Sequence, residues 1–249
     1  MIGISVVAYK ILRRNKPMAK KGKFIVVDGI DGSGKATQVG LLLERLQREG
    51  YKVKKIDFPR YNDNFFGQLL GECLNGTHGN FAEVSPKIAS VLYAADRWES
   101  GEQIKKWLKT GHVVIADRYV SSNQIHQGGK LKDEKSRANF LKWLDTMEYE
   151  VFKIPRPDKI IFLHLPLKLS LKLINDRKKE NPKESRKYLE GKKDVVEEDL
   201  KYLENSRNSA IKIVKKNNSW KMIDCSKNDT ILSREAINEK IYKNIKEII

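Results

Sequence analysis

The sequence predicts an α/β protein built on one doubly wound, five-stranded parallel sheet with helices on both faces. Three observations carry that expectation. Short β-branched runs alternate along the chain with segments of helical apolar spacing. The clearest of these runs, Phe24-Ile-Val-Val27, is apolar throughout and bounded by polar residues, as a strand covered on both faces is. A glycine-rich turn, Gly29-Ile-Asp-Gly-Ser-Gly34-Lys35, then joins that strand to a helix, and sheets of this kind gather ligands at the carboxyl ends of their strands. With 249 residues, 40% of them hydrophobic, the chain is long enough for one sizeable core.

After the turn, Val39, Leu42, Leu43 and Leu46 recur at helical spacing until Gly50 ends the helix. Val53 to Phe58 reads as the second strand. Ser85-Pro86 opens a helix with a capping hydroxyl and a proline in the first turn, and the pattern runs to about Leu108 with a weak point at Gly101. Val113–Ala116, Lys159–Leu165 and Trp220–Ile223 read as the third, fourth and fifth strands. Ile237, Ile241, Ile245 and Ile248 give the last helix its apolar stripe. Residues 177–193 break the alternation: they are rich in Lys, Arg and Glu, contain Pro182 and Gly191, and carry no apolar face. Their composition fits a solvated loop and a mobile lid over phosphates equally well.

Residues 1–22 precede the first strand as an extension. Its apolar start is followed by Lys10, Arg13, Arg14 and Lys16, the reverse of the charge order in a secretory signal. A transit-like leader and an upstream extension before a start at Met18 both fit; the second is preferred, because the fold pattern begins at Lys23. Residues 23–249 then form a single domain. Cys73 and Cys225 lie far apart without metal-type spacing, which argues against a disulfide or zinc site and for a reducing cytoplasm. No apolar run approaches the ~20 residues of a membrane span. The formal net charge of +17 is diffuse, with bases and acids interleaved as in Lys192-Lys193-Asp194. That suits attraction for anionic nucleotides better than a nucleic-acid-binding stripe.

The glycine turn carries the chemistry. Backbone N–H groups of such a loop and the positive end of the following helix point at phosphate oxygens. Lys35 reaches the β- and γ-phosphates. The pattern G-x-x-x-x-G-K-[ST] asks for a hydroxyl after the lysine, but Ala36 stands there and Thr37 follows, turned by about 100° on the helix. Magnesium is then held through water or by carboxylates from other segments. Asp31 is either a turn residue or a partner of magnesium or an acceptor hydroxyl. Asp117-Arg118 follows the third strand directly, where a carboxylate and an arginine can clamp a phosphate; a surface ion pair is the plainer reading. Asp96-Arg97 sits mid-helix, where salt bridges along the helix are usual. Phe58-Pro59-Arg60-Tyr61 follows the second strand, with Arg60 available to a phosphate. Tyr93 reads as a core residue or a base platform.

Together, Asp28–Gln38, Phe58–Tyr61, Ala95-Asp-Arg97, Asp117–Asn123 and Asp194-Val-Val-Glu197 resemble the thymidylate kinase family, in order and spacing, from Lys23 to the last helix. The resemblance implies a P-loop NTPase-type sheet with a short mobile lid at about 177–193. It implies an enzyme that phosphorylates dTMP to dTDP with ATP and Mg2+, toward dTTP, and that works as a cytoplasmic homodimer without nucleic-acid or membrane partners. It assigns ATP binding to Gly29, Ile30, Asp31, Gly32, Ser33, Gly34, Lys35, Ala36 and Thr37. It assigns dTMP binding to Asp31, Phe58, Arg60, Tyr61, Tyr93, Arg97, Arg118, Asn123 and His126. Within that set Tyr93 takes the place of an aromatic that stacks on the base, Arg97 and Asn123 match base readers, and His126 stands where members often carry an aromatic or amide that screens the 2′ side of the sugar. Lys35, Arg118, Asp31 and Arg186 are the implied catalytic residues, and Asp31, Asp117 and Glu197 the implied magnesium side. Some members carry an arginine in the loop where Gly32 stands here, so a lid arginine replaces it, with Arg186 or Arg177 the candidates.

Overall fold

The computed structural model describes residues 21–180 and 200–249. The extension up to residue 20 lies outside the described residues, as do most of the expected lid, Arg186, Asp194 and Glu197.

The alternation read from the sequence is present. Strand β1 (Lys23–Gly29) leads through the glycine loop into α1 (Lys35–Arg48), then β2 (Val53–Asp57) and α2 (Phe65–Leu74). Helices α3 (Pro86–Glu99) and α4 (Gly101–Lys109) precede β3 (Val113–Asp117). Next come α5 (Val120–Gly129), α6 (Glu134–Thr146) and a π-helical turn at Met147–Val151. The chain continues through β4 (Lys159–His164), α7 (Leu167–Glu180), α8 (Leu200–Lys216) and β5 (Trp220–Asp224). A two-residue hairpin, β6 (Ser226–Lys227) and β7 (Thr230–Ile231), then leads into α9 (Arg234–Ile245).

The main sheet has five strands in the order β2-β3-β1-β4-β5, every pairing parallel. Alternate residues of each strand feed opposite faces, and both faces are apolar. Phe24, Val26, Val114, Ala116 and Phe162 join a core with Ile104 of α4, Ile125 of α5, Leu144 of α6 and Ile213 of α8. Ile25, Val27, Ile115, Ile161 and Leu163 join a second core with Leu42 and Leu46 of α1 and Ile241 and Ile245 of α9. Such two-sided burial is the reason continuous apolar runs form the strands.

The register pairs Asp117 with Val27 and with Asp57, so β2 and β3 end level while β1 runs on to Gly29 and the glycine loop. The expected long helix from Pro86 is two helices. Ser100 donates its N–H to Arg97 O at 3.1 Å, and α4 begins at Gly101, the expected weak point. The second and fourth strands end one residue earlier than expected, and β5 extends one residue further, to Asp224. Helices α5 and α8 approach closely because Gly129 lacks a Cβ, which would lie 3.1 Å from Ser206 N. That contact brings α8 against the site described next.

Candidate active site

The ends of β2 and β3, at Asp57 and Asp117, line a cavity of about 880 Å³, within the range of small-molecule sites. The loop between β1 and α1 lies along it. Gly32 and Gly34 take left-handed backbone conformations, φ 77° and 83°, which wind the loop tightly enough to close on itself. At Gly32 a Cβ would also stand 2.4 Å from the carbonyl oxygen of Ser170 on α7, so a side chain here has no room without moving that helix.

Lys35 opens α1 and folds back, donating its ammonium to Gly29 O and Ile30 O, each at 3.0 Å, with Asp31 Oδ1 4.0 Å away. Burial lowers its pKa from the ordinary lysine value, and nearby Arg118 lowers it further. Asp31, Asp117 and Asp28 pull the other way. Asp31 to Ala36 line the cavity with Thr37, whereas Gly29 and Ile30 sit behind the wall as carbonyl acceptors.

Arg118 follows β3 in the left-handed region, φ 68°, and its backbone N–H reaches Val27 O at 3.0 Å. Its guanidinium donates from Nη2 to Asp31 Oδ1. Nη1 lies 3.2 Å from His126 Nε2. Burial alone would weaken the charge on Arg118, but Asp31, Asp28 and Asp117 more than offset it, so its pKa lies above the ordinary value. Asp117 is raised from the usual carboxyl value by burial, with Lys35 and Arg118 opposing.

His126 has a defined tautomer. Ser206 Oγ gives its proton to Tyr202 O at 2.8 Å, so its lone pair takes the Nδ1 proton of His126, 3.1 Å away. Nε2 is then the unprotonated acceptor for Arg118. Burial, then Arg118, lowers the His126 pKa to about 4. The ring stacks on Tyr202 with centroids 5.7 Å apart and planes 7° from parallel.

The residues expected on the acceptor side converge from three segments: the turn after β2, α3 and α5. Phe58, Tyr61, Tyr93, Arg97, Asn123 and His126 all line the cavity. Phe58 packs on Tyr119 at 5.6 Å. Asn123 donates Nδ2 to Ser90 O at 3.3 Å. Arg60 is the exception: it is not among the lining residues, and its Nη2 turns to Asp63 at 3.1 Å. The Asp96–Arg97 pair does not bridge along its own helix. Asp96 accepts the backbone N–H of Arg60 at 3.3 Å, and Arg97 pairs with Glu148 of the π-turn. Of the two lid-arginine candidates, Arg177 lines the cavity.

Some site residues went unassigned in the sequence reading. Asp28 is fully buried and accepts from Gly29 N at 2.8 Å, Ser121 Oγ at 2.5 Å and Ser122 Oγ at 2.8 Å. It ties the glycine loop to the start of α5. Its place beside the loop in sequence was the available signal. Cys225, Ile231, Leu232 and Ile237 wall the end of the cavity beyond Thr37, and no motif marks them. Among the described residues no group of three or more His, Cys, Asp or Glu side chains is placed to hold a metal.

The family model described as thymidylate kinase matches residues 27–237. A probable thymidylate kinase of Thermococcus onnurineus is 40% identical over 160 residues, 62% of this chain and 72% of that protein. The thymidylate kinase of Mycobacterium tuberculosis is 30% identical over 162 residues, 65% and 75% of the two chains. In fold, the chain is similar to a solved thymidylate kinase from Candida albicans, with a TM-score of 0.67 over 91% of this chain and 92% of that one at 22% identity. With the family model matched over most of its length, this chain belongs to the thymidylate kinase family.

Proposed function

We propose that the chain transfers the γ-phosphoryl group of ATP to the 5′-phosphate of dTMP, giving dTDP. The observation that carries this reading is the single cavity in which Lys35 and the Arg118–Asp31 pair lie between two differently built ends. The end beyond Thr37, walled by Ile231, Leu232 and Ile237, takes the donor base. The end formed by Phe58, Tyr93, Arg97 and Asn123 takes the acceptor nucleoside, with Tyr61 near its phosphate. Arg60 reaches that phosphate only by leaving Asp63.

The acceptor phosphate is ionised near neutral pH, so the reaction needs alignment and charge neutralisation more than a general base. Lys35 balances charge on the donor phosphates from inside the loop. Arg118 stands at the junction of the two ends, held by Asp31 on one side and His126 on the other, where it can bridge donor and acceptor phosphates. Arg177 or Arg186 supplies the further positive charge that Gly32 cannot carry. The residues fit magnesium held in the sparse way usual for phosphate sites, by one or two carboxylates with water and substrate oxygens. Asp117 and Asp31 line the cavity beside Lys35, and Glu197 is the third candidate. Ala36 offers no hydroxyl, so these carboxylates take its place. When bound, the ion neutralises phosphate charge.

Incubation with ATP, magnesium and each nucleoside monophosphate in turn tests the reading. The expected result is fastest turnover of dTMP, with dTDP as product. Preference for another monophosphate, or ATP hydrolysis that responds to DNA and yields no dTDP, would overturn it.

The working form is proposed to be a homodimer. Ile88, Val91 and Trp98 make an apolar stripe along the outer side of α3, 60%, 39% and 53% exposed. Phe65, 70% exposed, sits beside its end, because Glu99 accepts the N–H groups of Phe65 and Phe66. A second copy would cover this stripe. Cytoplasmic residence is supported by two buried free thiols, Cys73 and Cys225.

A further inference from the structure

The Arg97–Glu148 pair is buried almost without remainder, at 2% and 0% exposure. Arg97 donates Nε to Glu148 Oε2 at 3.2 Å and Nη2 to Oε1, and it aims Nη1 at Tyr119 O, 3.5 Å away. A guanidinium has five N–H groups. These contacts use three and leave one on each of Nη1 and Nη2, and Arg97 is part of the cavity wall. Glu148 reaches it from the π-turn, where Phe152 N bonds back to Met147 O at 2.9 Å. Such one-turn insertions are frequent at functional sites.

A purely structural tie would not need these charges. Two apolar side chains of similar volume often hold buried elements together as well as an ion pair does. What they cannot do is present N–H groups at a fixed angle. An arginine offers donors only, so it matches a carbonyl on a base and not an amino group.

We propose that Glu148 is a positioning residue for acceptor-base recognition, fixing the Arg97 guanidinium so that its two remaining N–H groups face a carbonyl of the pyrimidine. This rests on the reading of the cavity as the dTMP site.

The test uses Glu148→Gln, Arg97→Met and the double variant Arg97→Met/Glu148→Leu, each followed by KM and kcat for dTMP and dCMP and by thermal unfolding. A glutamine offers one acceptor where the carboxylate offered two, so Arg97 loses its orientation. Glu148→Gln is expected to raise KM for dTMP about 10–100-fold, the scale of a hydrogen bond to a charged group, with a much smaller change in kcat. It should also narrow the preference for dTMP over dCMP. The double variant should recover thermal stability relative to Arg97→Met, with no further loss in KM. A folded Glu148→Gln with unchanged KM and selectivity overturns the inference while leaving the cavity reading intact, provided Arg97→Met does alter both. If Arg97→Met alters neither, the reading of this wall as the base site fails, and the inference fails with it. Should Glu148→Gln not fold, a KM loss in the double variant beyond that of Arg97→Met overturns the inference.

Discussion

Arg118 occupies a backbone region that side chains other than glycine rarely enter, φ 68°, at a cost of about 1–3 kcal/mol. Its N–H bond to Val27 O and its guanidinium contacts with Asp31 and His126 offset that cost and aim it along the cavity. Removal of a preorganised donor of this kind typically costs about 100-fold or more in turnover. Lys35→Ala and Arg118→Ala are accordingly expected to lower kcat at least ~100-fold in steady-state assays with dTMP, and near-normal turnover by either purified variant would remove its role. His126 adds a pH signature. Its folded pKa, about 4, lies below the ordinary 6.5, so the folded state resists the proton that the unfolded chain accepts. The stabilisation is complete above pH 6.5 and is lost as pH falls through 4. It amounts to roughly 3 kcal/mol. Urea unfolding midpoints measured from pH 7 to pH 4 should fall more steeply in the wild type than in His126→Gln; equal slopes would place the proton elsewhere.

At the scale of elements, helix starts were the most legible feature. Ser85 caps α3 as its Ser-Pro signature predicts, accepting Ile88 N at 3.4 Å. The cap of α2 is less obvious in sequence and stronger in structure. Asn64 Oδ1 accepts Gly67 N at 2.7 Å, and its amide donates to Asp96 O at 3.1 Å, joining α2 to α3. Asn64→Ala should cost about 1–2 kcal/mol, read as a melting temperature lower by roughly 2–6 °C; an unchanged melting temperature would show that water replaces both bonds. The β6–β7 hairpin escaped the sequence reading because two-residue strands have no periodicity. Its turn carries a signal all the same: Asn228 and Asp229 both take positive φ, 48° and 55°, and these residue types suit such a turn. The π-turn at Met147–Val151 has no sequence signature of its own, which hid Glu148.

For the whole molecule, a net charge of +17 and an exposed apolar stripe on one helix make opposite demands on assembly. Bringing two such chains together costs electrostatic work at long range, which salt screens within about 10 Å at 0.1 M. The stripe at Ile88, Val91 and Trp98 is expected to win at physiological salt. Sedimentation of the wild type should then show a dimer, and Trp98→Asp a monomer; a monomeric wild type at micromolar concentration would remove the dimer proposal.

The amino-acid sequence alone carries the parallel α/β fold, the phosphate loop and the phosphate-facing part of the cavity's lining. These follow from local physics: apolar runs that need two covered faces, glycines that permit a tight turn, and charged residues placed at strand ends. Tertiary structure alone decided the partners. Glu148 meets Arg97 across 51 positions, Ser206 sets the tautomer of His126 across 80, and Asp28 joins loop to helix across 93. Arg60, a phosphate-ligand candidate from its motif, pairs with Asp63. Contacts at such separations depend on how helices pack over the sheet, and that packing is set by shape and close approach, as at Gly129, which leave no periodic trace in the chain.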